Sequence, residues 1–400
     1  MEKLYYVDEY IKEFKTEITN IIEKGDKYYV ALEESAFFEG GGGQPSDTGF
    51  IDNHKVIDII EEDGVIYHIT ETKPIKIHKV SCKIDWEKRY DFMQQHLAQH
   101  ALSGCFFKLF NKNTCGIHLG KDISTIDIEG TVTEEEIRKA EKMVNEIIFE
   151  NREVKTIIPT KSELKKLKIR RALPNTKEDI RVVIIEDLDI NACCGVHVKS
   201  TIELQAITLK RFEKHKGNTR IEYLAGNRAI KDYLNKDSFS RTICRSLSCS
   251  EDETLNSLNK LNDKIKELSN ENKNLRIELD DYKVKEFIEK SEKVNDITII
   301  KEIFKEDSIK NISKLTNRLL ENDNIITLFA IENEDKANLI FGSSKNIKNI
   351  DMNILLKDAI SLIDGRGGGS KFLSQGGGKN NNNLKGTLDY AFKKIENNIK

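Results

Sequence analysis

No run of apolar residues in this chain is long enough to cross a bilayer, and none opens it as an export leader would. Neither a membrane anchor nor secretion is therefore expected. One-sided charge is also missing: the net charge is −3, which rules out a global basic field for nucleic acid and leaves only local patches. The seven cysteines are odd in number and lack the regular spacing of a disulfide framework, so a reducing cytoplasm is the expected compartment. A fourth absence concerns the glycine run Gly40 to Gly43. Gln44 and Pro45 follow it where a nucleotide P-loop needs Lys and Ser or Thr, which excludes phosphate cradling of the ATPase type.

What is present is a folded pattern. Charged residues make up 33% and hydrophobic ones 38%, but the apolar residues are periodic, and 400 residues suffice for two or three domains. Residues 1–90 read as β-rich and barrel-like. Tyr28 to Leu32 and Val56 to Ile60 are β-branched or aromatic runs, and Asp63-Gly64 before Val65 to Ile69 signals a hairpin. Residues 91–240 read as α+β. Phe92, Met93, Leu97, Ala101 and Leu102 recur at helical spacing, and Thr133 with Glu136 forms a capping box. The helix after that box would bury Ile137, Ala140, Val144, Ile147 and Ile148, and the strands Val182 to Ile185 and Thr201 to Leu209 would bracket a turn at Asp187 to Asn191.

Residues 241–294 read as a helical, coiled-coil-like segment. Leu258, Leu261, Ile265, Leu268, Asn272, Leu275, Leu279 and Tyr282 alternate by three and four, a seam suited to a second copy of the chain or to a helix folded back on itself. Residues 295–400 read as a C-terminal α/β domain. Its strands are Ile297 to Ile300, Ile325 to Ile331 and Ala337 to Phe341; its helices lie near Ile309 to Leu320 and Met352 to Ile363; and Asn380 to Asn383 is an exposed loop.

The chemistry concentrates in two pairs. His96 and His100 sit four apart on the predicted helix, which brings their Cβ atoms within about 5–6 Å on one face. Cys193 and His197 have the same spacing around Gly195, a helix breaker. Three imidazoles and a thiolate suit one tetrahedral zinc ion per chain, although spacing alone leaves Cys194 open as the thiolate. The alternative is two core histidines with two buried thiols. The densest cationic run, Lys161, Lys165, Lys166, Lys168, Arg170 and Arg171, is either a solvated helix face or a phosphate contact.

Several motifs together resemble the AlaX family, the free-standing relatives of the editing domain of alanyl-tRNA synthetase. They are Leu4-Tyr5-Tyr6, Gly41 through Gly49, Asp85-Trp86-Glu87-Lys88-Arg89, the histidine pair, Asn191 through His197, and Gly217 through Glu222. The resemblance implies a zinc-dependent deacylase that hydrolyses tRNA(Ala) mischarged with serine, and sometimes glycine, with Cys193 as the thiolate ligand. It implies substrate contacts from Gln44, Gln99, Ser35, Arg220 and the amides of Gly41, Gly42 and Gly43. This chain has Glu39-Gly40 where the family usually has Pro-Glu, and Leu97 where threonine is common. Gly367, Gly368 and Gly369, with Gln375, Gly376 and Gly377, resemble the signature of the DHH-associated domain, which implies tRNA contacts from the far end of the chain. A homodimer through the helical segment or the C-terminal domain is also expected. The rival expectations are a zinc-stabilised tRNA-binding module without catalysis, a threonyl-tRNA-synthetase-like editing protein, and a metal hydrolase of small amino acid esters. Because the chain enters the editing motifs directly, synthesis of aminoacyl-tRNA is not expected.

Overall fold

Alternation builds the first sheet. Ile18, Val30, Leu32, Ile51, Val56, Ile59, Ile66, Val80, Cys82 and Ile84 point inward from six strands, and their polar neighbours face water. In the computed structural model, which describes all residues except 76–77, 172, 174–178, 335, 380–382 and 400, these strands close into a barrel. Its order is Glu13–Lys24, Lys27–Leu32, Val65–Thr70, His54–Glu62, Gly49–Ile51 and Lys79–Ile84. The expected hairpin is present: Glu62 pairs with Val65, and Asp63 and Gly64 both take positive φ, 52° and 77°, as a tight two-residue turn requires. Gly49 marks the closure, since a Cβ there would lie 2.2 Å from the Lys83 carbonyl oxygen.

The helix Trp86–Phe110 follows the barrel. The Asp85 side chain caps it by accepting from the Lys88 amide, and Asn111 ends it in the left-handed region. Because it is buried on nearly every side, it serves as the centre of its unit rather than as a surface helix. Packed against it are the helix Glu134–Phe149, whose capping box and five buried residues are those expected, and a four-stranded sheet. That sheet runs Ile207–His215, Asn218–Ala225, Ser124–Ile128, Thr114–Leu119. Arg89 fastens the helix to the barrel end. Fully buried, it bonds the Asp47 carboxylate and donates to the carbonyls of Glu9 (3.0 Å) and Ala36 (2.6 Å).

Two expectations shift here. Asp189–Ala192 is a strand paired with Val182–Ile185, not part of a turn; the reversal is confined to the residues before it, with Asp187 at φ 51°. Thr201–Leu204 is a short 3-10 helix, and the strand begins only at Ile207. The Thr201 hydroxyl explains this, since it donates to the Ile147 carbonyl and accepts the Arg152 amide, pinning the chain in a turn.

Residues Met1–Glu251 form one compact unit and Asp252–Lys400 a second. The second unit opens with a single helix, Thr254–Lys290, that does not fold back on itself. Its heptad seam is bare, with Leu261, Ile265, Leu268, Leu275 and Leu279 each about half exposed or more. A six-stranded sheet follows, ordered Glu292–Val294, Ile297–Lys305, Ile325–Glu332, Lys336–Ser343, Leu373–Lys379, Arg366–Gly369. Strand alternation sends Ile326, Leu328 and Ala330 to one face, beneath Met352–Ile360 and Leu384–Ile399. It sends Ile325, Phe329 and Ile331 to the other, beneath Ile309–Leu319.

The glycine signature of this unit is not a pair of loops. Gly367, Gly368 and Gly369 pair with Gly376, Gln375 and Ser374 in an antiparallel ladder. Lacking side chains, these strands let a helix lie directly on them: a Cβ on Gly376 would stand 2.3 Å from Ile360 Cδ1, and one on Gly367 would stand 3.0 Å from Leu356 Cδ2. Of the expected exposed loop, Asn380 to Asn382 lie outside the described residues.

Candidate metal centre

Helical spacing stacks the His96 and His100 rings 5.3 Å apart, both buried. The segment after the strand Asp189–Ala192 brings Cys193 and His197 to them. One ligand atom from each of His96, His100, Cys193 and His197 lies within 4.8 Å of all the others. Cys193 Sγ is 3.3 Å from His96 Nε2 and 3.7 Å from His197 Nε2. It is thus Cys193, and not Cys194, that closes the group.

The outer face of each ring explains why the inner nitrogens converge. His96 Nδ1 is 3.0 Å from the Gln44 carboxamide oxygen, which also accepts the Val196 amide at 3.2 Å. His100 Nδ1 is 3.1 Å from the Asp189 carboxylate. Each partner can accept a hydrogen bond from Nδ1–H and so favours a lone pair on Nε2, the arrangement that sets the tautomer of a metal-ligating histidine. His100 Nε2 is buried and has no hydrogen-bond partner among the described residues. An unpartnered buried imidazole nitrogen aimed at a thiol and two further imidazoles fits a metal ion, and the soft sulfur with three nitrogens fits a tetrahedral one.

Electrostatics agree with that donor set. Burial opposes ionisation of Cys193, but the His96 and His197 imidazoles, with His100 close by, hold its thiol well below the usual value. Burial also works against a proton on His100, yet the bond to Asp189 and the nearby Cys193 sulfur raise it to about 9. Burial, with His96 alongside, lowers His197 to about 3. The shifts of Cys193 and His100 run toward a thiolate paired with an imidazolium, and a cation bound by these ligands would displace the proton. Cys194 moves the other way, pushed up by burial and by the neighbouring thiolate.

A cavity of about 690 Å³ opens beside the cluster, lined among others by Glu39, Gly42, Gln99, Ile117, Arg170 and Asn191. The loop Gly40 to Gly43 has positive φ throughout, 62° to 146°. A Cβ on Gly42 would stand 3.2 Å from His96 Cε1, and one on Gly41 3.0 Å from Cys194 Sγ. Gly195 packs more closely still, since a Cβ there would come within 2.3 Å of His96 Cε1. The glycines are what let backbone lie directly on the ligands.

The remaining site residues expected from sequence divide. Gln99 lines the cavity and donates to Ser103 Oγ at 2.7 Å. Gln44 is committed through its oxygen to His96 and Val196, so it orients a ligand where a substrate contact was expected. Ser35 is displaced from that role altogether. It is fully buried against the barrel strand Val65–Thr70, where its hydroxyl lies 2.9 Å from His68 Nε2 and accepts the Phe37 amide, and burial lowers His68 to about 4. Arg220 is engaged by Asp127 through two bonds of 2.7 and 2.8 Å across adjacent strands and does not line this cavity. Gly367, Gly368, Gly369, Gln375, Gly376 and Gly377 belong to the second unit, in the ladder already described.

Sequence reasoning missed Asp189; its other partners were named there only as part of the cationic run (Arg170) and of the family motif (Asn191), without this link. One signal was available: Asp189, Asn191 and Cys193 are spaced by two, so a strand reading would have put them on one face.

Two family models match the chain. The threonyl and alanyl tRNA synthetase second additional domain covers residues 180–222, and the DHHA1 domain covers residues 295–397. The chain is 32% identical over 394 residues to alanyl-tRNA editing protein AlaX-L of Pyrococcus horikoshii, spanning 94% of each chain. It is 34% identical over 252 residues to alanyl-tRNA editing protein Aarsd1 of Bos taurus, covering 62% of this chain and 57% of that one. It is 26% identical over 406 residues to the alanine–tRNA ligase of Methanobrevibacter smithii, covering 97% of this chain and 45% of the ligase. It therefore spans about half the length of those last two relatives and nearly all of the first.

Proposed function

This chain belongs to the AlaX family of alanyl-tRNA editing proteins, and on that premise we propose that it is a trans-editing deacylase that hydrolyses the ester of serine mischarged on tRNA(Ala). Glycine on the same tRNA is a second candidate substrate. The observation that carries the reading is the buried cluster of three imidazoles and one thiol beside a cavity walled by a glycine loop.

One zinc ion held by His96, His100, Cys193 and His197 is the cofactor we assign. Zinc supplies Lewis acidity, activation of water or a template for substrate, and four protein ligands favour the template role, because a catalytic zinc normally keeps one position open. The chain's own groups do the rest. Gln44 and Asp189 fix the rings of His96 and His100, so that the cluster is rigid before substrate arrives. Of the expected loop amides, that of Gly41 is spent on the Gln44 carbonyl at 2.9 Å, and Gly42 lines the cavity, where its amide can approach the aminoacyl ester with no side chain between, which suits it to an oxyanion. Gln99, on the cavity wall, is our candidate for the seryl hydroxyl. A site that hydrogen-bonds a hydroxyl discriminates strongly against the analogue without one, so alanine is spared.

The homodimer belongs to the same proposal, through the bare heptad seam of Thr254–Lys290 or through the C-terminal domain. The competing reading is a tRNA-binding module that needs zinc only to fold. Deacylation of Ser-tRNA(Ala) and Ala-tRNA(Ala), measured side by side, separates the two. The deacylase hydrolyses the serine ester at least about a hundredfold faster than the alanine ester. Equal rates defeat the selectivity, and tRNA binding without hydrolysis of either ester favours the module.

A further inference from the structure

The Asp189 carboxylate holds more than a histidine. One oxygen meets His100 Nδ1 at 3.1 Å, the other accepts from Arg170 Nε at 2.9 Å, and Asn191 Nδ2 lies 2.7 Å from both. The carboxylate is therefore saturated, and the rest of the Arg170 guanidinium is left over. Its side chain is only 5% exposed, yet neither Nη1 nor Nη2 has a hydrogen-bond partner among the described residues. The residue is also fixed in place. Its backbone amide donates to the Ile190 carbonyl at 3.2 Å, and its guanidinium sits 5.9 Å from the Phe107 ring centroid.

Arg170 lines the cavity beside the metal cluster, as does Arg171. Of the six cations in the run Lys161 to Arg171, these are the two that reach it. Arg181 lines it too, but it donates to the Gly195 carbonyl at 2.9 Å and lies over the Tyr6 ring at 3.7 Å. Arg170 is thus an enclosed, permanently charged group with its paired donors unspent, which is costly unless a ligand satisfies them. A planar fork of N–H donors matches the tetrahedral oxygens of a phosphate.

We infer that the Arg170 Nη fork receives a phosphodiester of the tRNA acceptor strand and so registers the terminal ribose over the metal cluster. This inference rests on the proposed deacylase reading. Near its ester, the substrate is negative only at its phosphates, because the aminoacyl group brings a neutral carbonyl and a cationic ammonium. Arg170 is therefore a positioning residue, one step removed from the reacting atoms.

The test uses the full chain, as wild type and as Arg170→Gln and Arg170→Lys; the lysine variant keeps a cation beside Asp189 and guards against misfolding. Affinity is measured for uncharged tRNA(Ala), intact and lacking its last three nucleotides. KM and kcat are measured for Ser-tRNA(Ala) and for the serine ester of adenosine, which carries no phosphate. Both variants are expected to bind intact tRNA about tenfold more weakly and truncated tRNA as the wild type does. KM for Ser-tRNA(Ala) should rise about tenfold, with the adenosine ester hydrolysed within about twofold of wild type. Unchanged affinity for intact tRNA overturns the inference. So does a parallel loss on the adenosine ester, which would mean that Arg170 acts on His100 through Asp189. Weakened inhibition by free serine at unchanged tRNA affinity would reassign the fork to the released carboxylate. If the wild type hydrolyses neither ester, the deacylase reading fails on its own, and the binding comparison still decides Arg170.

Discussion

Two stretches of this chain are nearly identical in composition and opposite in use. Gly40 to Gly43 is a curled loop with every φ positive, lying on the metal ligands. Gly367 to Gly369 and Gly376 to Gly378 are extended strands paired with each other, lying beneath a helix. In both places glycine removes a side chain so that something can come close. What comes close differs: at the front it is His96, Cys193 and the cavity, and at the back it is Ile360 and Leu356. A run of glycines in a sequence therefore announces close approach without saying whether the partner is a ligand or the protein's own core.

Adding one methyl group at chosen glycines tests that division. The largest effect is expected at Gly195, where the new Cβ would lie 2.3 Å from His96 Cε1. Gly195→Ala should displace His96 and lower metal affinity by about a hundredfold or more, with the second unit intact. Metal content by mass spectrometry, with thermal melting as the control, reads this out; a fully loaded variant would show that the glycine packing does not govern the site. Next comes Gln44→Leu, which removes the acceptor from His96 Nδ1 and leaves the ring unoriented. Metal affinity should fall about tenfold, and competition against a chelator measures it.

At the back, Gly376→Ala places a Cβ 2.3 Å from Ile360 Cδ1 and 2.6 Å from Gly367 Cα. It should cost the second unit about 1–3 kcal/mol in denaturant unfolding while metal content stays at wild-type level. Loss of metal in this variant would erase the distinction between the two stretches. The smallest effect is expected one residue along. A Cβ on Gly377 meets the tip of the Asn338 side chain at 2.9 Å, and that tip can move. Gly377→Ala should change stability by no more than about 0.5 kcal/mol, and a penalty equal to that of Gly376→Ala would refute the two-faced reading of the strand.

How much could be read in advance follows from the same contrast. The hairpin at Asp63-Gly64, the capping box at Thr133 and the inward face Ile137, Ala140, Val144, Ile147 and Ile148 were legible because side chains carry the period. The four-residue spacing of His96 and His100 was legible for the same reason. The glycine strands at the C-terminus were not, since residues without side chains leave no alternation to read. Thr201–Leu204 was misread as strand because its β-branched residue is tied by its hydroxyl to Ile147 and Arg152, far away in sequence. Ser35 and Gln44 show the same limit from another side. Their residue types suit chemistry, but only the fold tells that one faces His68 in the barrel and the other orients His96. Asp189 stayed hidden until a strand placed it between His100 and Arg170.

The central claim is that the three imidazoles and the Cys193 thiolate form the working heart of an editing enzyme. Deacylation of Ser-tRNA(Ala) by a His96→Ala, His100→Ala variant with wild-type circular dichroism and tRNA affinity tests it most directly. Loss of about a thousandfold or more in rate is the predicted result. Hydrolysis at the wild-type rate by the folded, metal-free variant would contradict it.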